Sequence, residues 1–397
     1  MADNVYWIWF QLLFGVGIRR AELLLNYFEN PREIYEGIQS GGRVAGMLAT
    51  KELAAAREAM EQAREIESRT LKKGVDIVTP SHPNYPERLQ NIYAKPAVLY
   101  VKGDLGCLKN ALTIAMVGTR NFTEYGAKAA CMLAERLAQN GAVVVSGLAK
   151  GIDTHCHAAA LEAGGKSIGV LGCGIDIDYP SGSAKLKRAM CENGAVVTEY
   201  PLGTEPRPSN FPMRNRILSG MCHGVVVVEA DLKSGSLITA NHAAEQGRDV
   251  FAVPGSIFSM REQGTHYLIK EGAKLTESVD DILAEYAHTG LVRPGAFVRP
   301  KPPIHTASSA PAKNKEDAPS TVPVVVERKI LPDTISEHCA VVYALVEAQP
   351  VSVEQIAESV QMEMGAILSA LTELELYGLI LGYPGRRFGL YYSGGDK

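Results

Sequence analysis

Residues 112–153 read LTIAMVGTRNFTEYGAKAACMLAERLAQNGAVVVSGLAKGID. Two short apolar runs, 112–117 and 142–145, flank a stretch that places Ala127, Ala130, Leu133, Ala134 and Leu137 on one helical face before Asn140-Gly141 closes it. Continuous apolar runs joined by an amphipathic helix predict parallel strands buried on both faces. Each run ends in a glycine turn, Gly118-Thr119-Arg120 after the first and Ser146-Gly147 leading to Lys150-Gly151-Ile152-Asp153 after the second. Open α/β sheets bind ligands at the carboxyl ends of their strands. Arg120 and Lys150 are therefore expected on one rim.

The alternation continues outward. Further strands are predicted over 167–172, 195–199, 224–229 and 249–253, with helices over 153–163, 181–192, 211–221 and 236–246. The fold class is α/β, a doubly wound parallel sheet of extended Rossmann-like type. Residues 74–110 hold two short strand-like runs, 76–79 and 97–102, broken by prolines at 80, 83, 86 and 96. Edge strands and turns are expected there. The core domain spans 74–290.

The chain has 397 residues, enough for two or three domains, and its 46% hydrophobic and 21% charged residues are those of a globular protein. A net charge of −4 excludes a chain that is basic overall, so any nucleic acid must be held by a local patch. Seven cysteines without framework or metal-ligand spacing point to reduced thiols and a cytoplasmic location. The apolar stretch 5–14 is too short for a membrane span, which takes ~20 residues, and reads as a buried helix.

Several turns carry chemistry. Gly118, Thr119 and Arg120 offer amides and a guanidinium to an anion, or else Arg120 joins a surface ion pair. Ser146, Gly147, Lys150 and Gly151 allow close backbone approach beside a cation, with Asp153 expected to cap the next helix. Ser234-Gly235-Ser236 opens a helix after the most apolar strand, a suitable phosphate cradle. In 211–216, FPMRNR, Pro212 is expected to begin a helix whose first turn carries Arg214 and Arg216 around Asn215. Cations there oppose the helix dipole, so either an external anion or the acids Glu199 and Glu229 are expected as partners. The sequence has no Walker loop, no complete dinucleotide fingerprint and no arguable Ser-His-Asp order. His155 and His157 read as satisfied polar neighbours. Many anion donors without a nucleophile suit binding a phosphate backbone better than cutting it.

These residues resemble the DNA-processing protein A (DprA/Smf) family across nearly the whole chain. The shared motifs are VGTR at 117–120, SGLAKGIDTHCHAAAL at 146–161, LGCGIDIDYP at 171–180, FPMRNRILSG at 211–220 and VVVEADLKSGSLITA at 227–240, with AVPG at 252–255 and GxxxLIxxGA at 264–273. The resemblance implies a bacterial, dimeric, non-enzymatic protein that binds single-stranded DNA, protects incoming strands and loads the RecA recombinase during transformation. It implies no cofactor or metal, no membrane, and DNA contacts at Arg120, Lys150, Arg214 and Arg216. His266 departs from the family's usual Asn. A reading of another class is a nucleotide-handling enzyme of phosphoribohydrolase type. Its P-G-G-x-G-T-x-x-E loop is absent here, although Glu229 and Asp231 stand at a strand end.

Two flanking domains complete the organisation. Residues 1–73 read as an all-helical, SAM or helix-hairpin-helix-like domain. Its Gly15-Val16-Gly17 turn, followed by Arg19 and Arg20, is either a phosphate-holding hairpin or a tight turn between packed helices. Residues 51–73 predict a long amphipathic helix. Residues 291–333 form a flexible Pro/Ala-rich linker. Residues 334–397 predict a winged-helix-like domain, with helices over 337–348, 353–360 and 364–377. From residue 335 onward three Lys/Arg face eight Asp/Glu, a net of −5, and the would-be recognition helix has no cation. Arg386 and Arg387 at the wing are the exception. Phosphate contact needs cations, so an interaction or regulatory module is expected.

Overall fold

The computed structural model describes residues 3–17, 19–41, 44–292, 332, 335–346, 351–360, 362–383 and 387–390. Two compact units divide the chain, Met1–Ile304 and His305–Lys397.

The first unit opens with helices α1 (Asn4–Phe14), α2 (Arg19–Leu25), α3 (Pro31–Gln39) and α4 (Thr50–Lys72). α1 is apolar nearly all round, burying Trp7, Ile8, Trp9, Phe10 and Phe14, as suits a helix enclosed by neighbours. Trp9 satisfies its indole N–H on the Ala56 carbonyl of α4 at 2.8 Å. α4 buries Ala56, Ala59, Met60 and Ala63 and turns its charges outward.

The bridge folds into two strands, β1 (Asp76–Val78) and β2 (Leu99–Gly103). The sheet then alternates through β3 (Thr113–Val117), α5 (Glu124–Gln139), β4 (Val143–Ser146), α6 (Ile152–Glu162), β5 (Lys166–Leu171), α7 (Ala184–Glu192) and β6 (Gly194–Thr198). It continues with α8 (Asn210–Gly220), β7 (Gly224–Val227), α9 (Gly235–Glu245), β8 (Asp249–Ala252), α10 (Gln263–Lys270), β9 (Lys274–Leu275) and α11 (Val279–Leu283). The strand order is β1-β2-β6-β5-β4-β3-β7-β8-β9. All pairs from β6 to β9 are parallel, whereas β1 with β2 and β2 with β6 run antiparallel. The sheet is therefore parallel with an antiparallel edge.

Alternate residues of β3 serve opposite faces. Ile114 and Met116 pack with α5, α6 and α11, through Leu133, Leu137, Cys156 and Ile282. Ala115 and Val117 pack with α8, α9 and α10, through Ile217, Leu218, Ala240 and Leu268. Burial on both faces explains why these strands read as unbroken apolar runs. The N-terminal helices pack on the sheet's antiparallel edge through Ile77, Val98 and Tyr100. Strands β4 to β6 are added on one side of β3 and strands β7 to β9 on the other, so the topological switch point lies between β3 and β7.

The second unit comprises α12 (Glu337–Leu345), β10 (Val351–Ser352), α13 (Val353–Ser359), α14 (Met364–Leu376), β11 (Ile380–Tyr383) and β12 (Arg387–Leu390). Its strands order as β10-β12-β11, the ribbon of a winged helix. A core of Val342, Ile356, Ile367, Leu371, Leu374 and Ile380 holds it. Ser352 and Gln355 form a capping box at α13, with bonds of 3.2 and 2.9 Å. The linker expected over 291–333 lies outside the described residues apart from 291, 292 and 332, and so does Arg386. No helix among the described residues is long and apolar enough to cross a membrane.

Candidate nucleic-acid interface

A crevice of about 580 Å³ opens at the switch point, above the carboxyl ends of β3 and β7. Gly118, Thr119 and Arg120 form one wall, and Ser234, Gly235 and Ser236 form the facing wall. Arg214 and Asn215 of α8 reach it, with Phe211 and Tyr179.

The two glycine turns interlock. A Cβ on Gly118 would lie 2.7 Å from the Ile152 side chain, and one on Gly151 would lie 2.6 Å from the Thr119 carbonyl. Gly151 also has φ +96°, a conformation that favours glycine. Ile152 N–H donates to the Thr119 carbonyl at 3.3 Å, and Thr119 N–H donates to the Glu229 carbonyl at 2.8 Å. Arg120 is thereby held at the rim, exposed, with its guanidinium 5.6 Å from the centroid of the Phe211 ring. Among the described residues it makes no ion pair. Phe211 in turn lies 5.4 Å from Tyr179, so a cation and two rings stand in a row. Lys150 is exposed on the neighbouring turn but does not line the crevice.

The facing wall is the start of α9. Ser234 caps it, its hydroxyl accepting from Ser236 N–H at 3.4 Å and lying 2.7 Å from the Ser236 hydroxyl. The Asp231 carboxylate accepts from Lys233 N–H at 2.7 Å. First-turn amides of a helix lack internal acceptors and carry a partial positive charge.

Other expected site residues turn inward. α8 begins at Asn210, two residues before Pro212, which moves Arg214 and Arg216 out of its first turn. Arg214 is buried. Its guanidinium donates to the carbonyls of Gly147 (2.7 Å) and Val170 and to the Asn215 side chain (3.1 Å), forming the crevice floor. Burial holds its pKa below the usual value, opposed by Asp153, and the nearby charge of Arg120 pushes it the same way. Arg216 does not face the crevice. It is buried and paired with Glu199 at 2.5 Å. Glu229 is fully buried and accepts from the Thr123 amide and hydroxyl at the start of α5 instead of meeting an arginine.

Two more expectations are corrected. Asp153 is not the cap of α6, which follows Gly151. Its carboxylate accepts from Gly147 and Ala149 N–H at 3.1 and 3.3 Å, so it fastens the preceding loop. Ser146 is buried and donates to the Met116 carbonyl at 2.6 Å, a bond between strands. The Gly15–Gly17 turn faces protein, since a Cβ on Gly17 would lie 2.3 Å from Met213. The side chains of Arg19 and Arg20 lie outside the description.

A family model described as DNA recombination-mediator protein A matches residues 76–287, the sheet with its rim, and one described as the DprA winged helix domain matches residues 331–386. The chain belongs to this family. The DNA processing protein DprA of Streptococcus pneumoniae is 48% identical over 202 residues, covering 51% of this chain and 71% of that one. Protein Smf of a Synechocystis strain is 30% identical over 404 residues, 98% of each chain. The X-ray structure of the S. pneumoniae DprA aligns with a TM-score of 0.63 at 38% identity, covering 71% of this chain and 97% of that chain.

As a DprA/Smf-family, DNA-processing recombination mediator, the chain keeps its rim motifs at the switch point. His266 contacts the Gly255 backbone through Nε2 (3.1 Å to the carbonyl) and so holds the loop after β8. His157 is buried with Nδ1 2.7 Å from the Ser167 hydroxyl, and burial pushes its pKa down to about 3. Phe122 packs on His155 and the Tyr125 hydroxyl donates to the Pro254 carbonyl, whereas Phe211 reaches the crevice. Tyr179 and the Pro206–Pro208 segment were not expected there. The signal for Tyr179 was an aromatic next to the end of the LGCGIDIDYP motif. Among the described residues no cluster of three His, Cys, Asp or Glu is placed to hold a metal.

Proposed function

We propose that the crevice at the carboxyl edge binds single-stranded DNA without cleaving it. The observation that carries this is Arg120, exposed, without an ion pair among the described residues and set over Phe211 at the mouth of the crevice. A strand phosphate takes the guanidinium and the α9 amides, and a base stacks on Tyr179 or Phe211, contacts worth ~1–3 kcal/mol per base. Family membership supports the further steps: a homodimer that protects incoming strands and passes them to the RecA recombinase, in the cytoplasm, during transformation. Glu229 is committed to α5, which leaves the phosphoribohydrolase-type reading without a free carboxylate at that position.

The test is fluorescence anisotropy of labelled poly-dT with the wild type and Arg120→Ala. An affinity loss of about tenfold, equivalent to ~1.4 kcal/mol, is expected in the variant. Equal binding by both proteins would remove Arg120 from the interface.

A further inference from the structure

The amino edge of the sheet, opposite the crevice, carries a second concavity of about 700 Å³. Its wall includes Thr113 at the start of β3, His223 just before β7, Arg248 just before β8, and Asn84, Arg88 and Lys109 from the bridge. Ligands of doubly wound sheets bind at the carboxyl edge, so a cation-lined hollow at the amino edge is not explained by the fold.

The acid in its lining, Glu87, is exposed and, among the described residues, forms no ion pair with these cations. Arg88 is half-buried in a short turn, and among the described residues its guanidinium donates no hydrogen bond and meets no carboxylate within ion-pair distance. Arg248 is fixed beside it, Nη2 donating to the Arg88 carbonyl at 2.9 Å and the Gly220 carbonyl at 3.3 Å, while its Nε is buried without a partner. Lys109 donates to the Asn84 side chain at 3.1 Å. Asp249, the acid adjoining Arg248, accepts from the Tyr286 hydroxyl at 2.7 Å. His223 Nδ1 accepts from Thr113 N–H at 3.1 Å, which leaves its proton on Nε2. Burial, with the charges of Arg88 and Arg248, pushes its pKa down to about 4, so it is a neutral donor. Half-buried guanidinium groups without an ion-paired acid are costly, and their planar forks match phosphate oxygens.

We propose that this hollow is a second, independent anion site that takes a phosphate group through Arg88, Arg248 and Lys109. A free nucleotide or the backbone of a strand carries that phosphate. The experiment titrates the full chain with inorganic phosphate and with dAMP by calorimetry, and with labelled poly-dT by anisotropy, for the wild type, Arg88→Gln and Lys109→Gln. Saturable phosphate or dAMP binding, weakened at least tenfold by Arg88→Gln and also reduced by Lys109→Gln, is expected for a nucleotide source. A response confined to poly-dT, at least threefold weaker in both variants, assigns the phosphate to a strand. Lys109 is exposed, so its variant keeps the test valid if Arg88→Gln loses its fold by circular dichroism. The proposal is overturned when phosphate, dAMP and poly-dT all bind the folded variants as they bind the wild type.

Discussion

The guanidinium of Arg214 and the carbonyl of Gly147 lie 2.7 Å apart, tying α8 to the turn that follows β4. A Cβ on Gly147 would stand 2.4 Å from Arg214 Nη2 and 2.8 Å from the Asp153 carboxylate. This glycine is needed for close approach, since its own φ is ordinary. Gly147→Ala forces the guanidinium or the turn aside and is expected to destabilise the fold by about 2 kcal/mol, in the range for overpacking. Urea denaturation measures it. A midpoint equal to the wild type would show that the contact is dispensable.

Arg216 and Glu199 form a buried pair at 2.5 Å, and Arg216 Nε and Nη1 have no acceptor among the described residues. Removing one partner strands the other's charge. Glu199→Ala is expected to cost ~3–5 kcal/mol, and Glu199→Met with Arg216→Met to recover most of it. Because Arg216 points away from the crevice, the double variant is expected to bind poly-dT like the wild type. Weaker binding by a folded double variant would return Arg216 to the interface.

Glu262 is buried with one carboxylate oxygen unpartnered. Burial first, then the charge of Glu229, pushes its pKa from 4.5 up to about 7, against Arg261. The folded chain thus holds this proton more tightly than the unfolded chain. Its stabilising contribution is full below about pH 4.5 and is lost as pH rises through about 7. Glu262→Gln is expected to be more stable than the wild type above pH 7, by up to ~3 kcal/mol, and to flatten stability between pH 4.5 and 7. Parallel pH profiles for the two proteins would contradict this.

The parallel strands were legible because burial on both faces leaves unbroken apolar runs, as in 112–117. The antiparallel direction of β1 and β2 was not, since short runs between prolines carry no sign of their partner. Arg120 could be read from its turn, because a turn at a strand end is set by local sequence. Arg214 and Arg216 could not. A cation on a helix looks the same whether it meets an anion in solvent, backbone carbonyls at 147 and 170, or Glu199 from a strand distant in sequence. The start of α8 at Asn210 also removed the dipole argument applied to them.

α14 carries no Lys or Arg along Met364–Leu376. A truncation ending at residue 334 is therefore expected to bind poly-dT within about twofold of the full chain, because phosphate contact requires cations. A tenfold loss on truncation would make the winged helix part of the interface.

The central claim is that the carboxyl-edge crevice grips strand phosphates through Arg120. The most direct measurement is the salt dependence of affinity for poly-dT and for a duplex of equal length, comparing the wild type with Arg120→Ala. Preference for the single strand is expected, with a plot of log K against log salt shallower by ~0.7 in the variant, the loss of one single-strand phosphate contact. A duplex preference, or identical slopes for the two proteins, would contradict it.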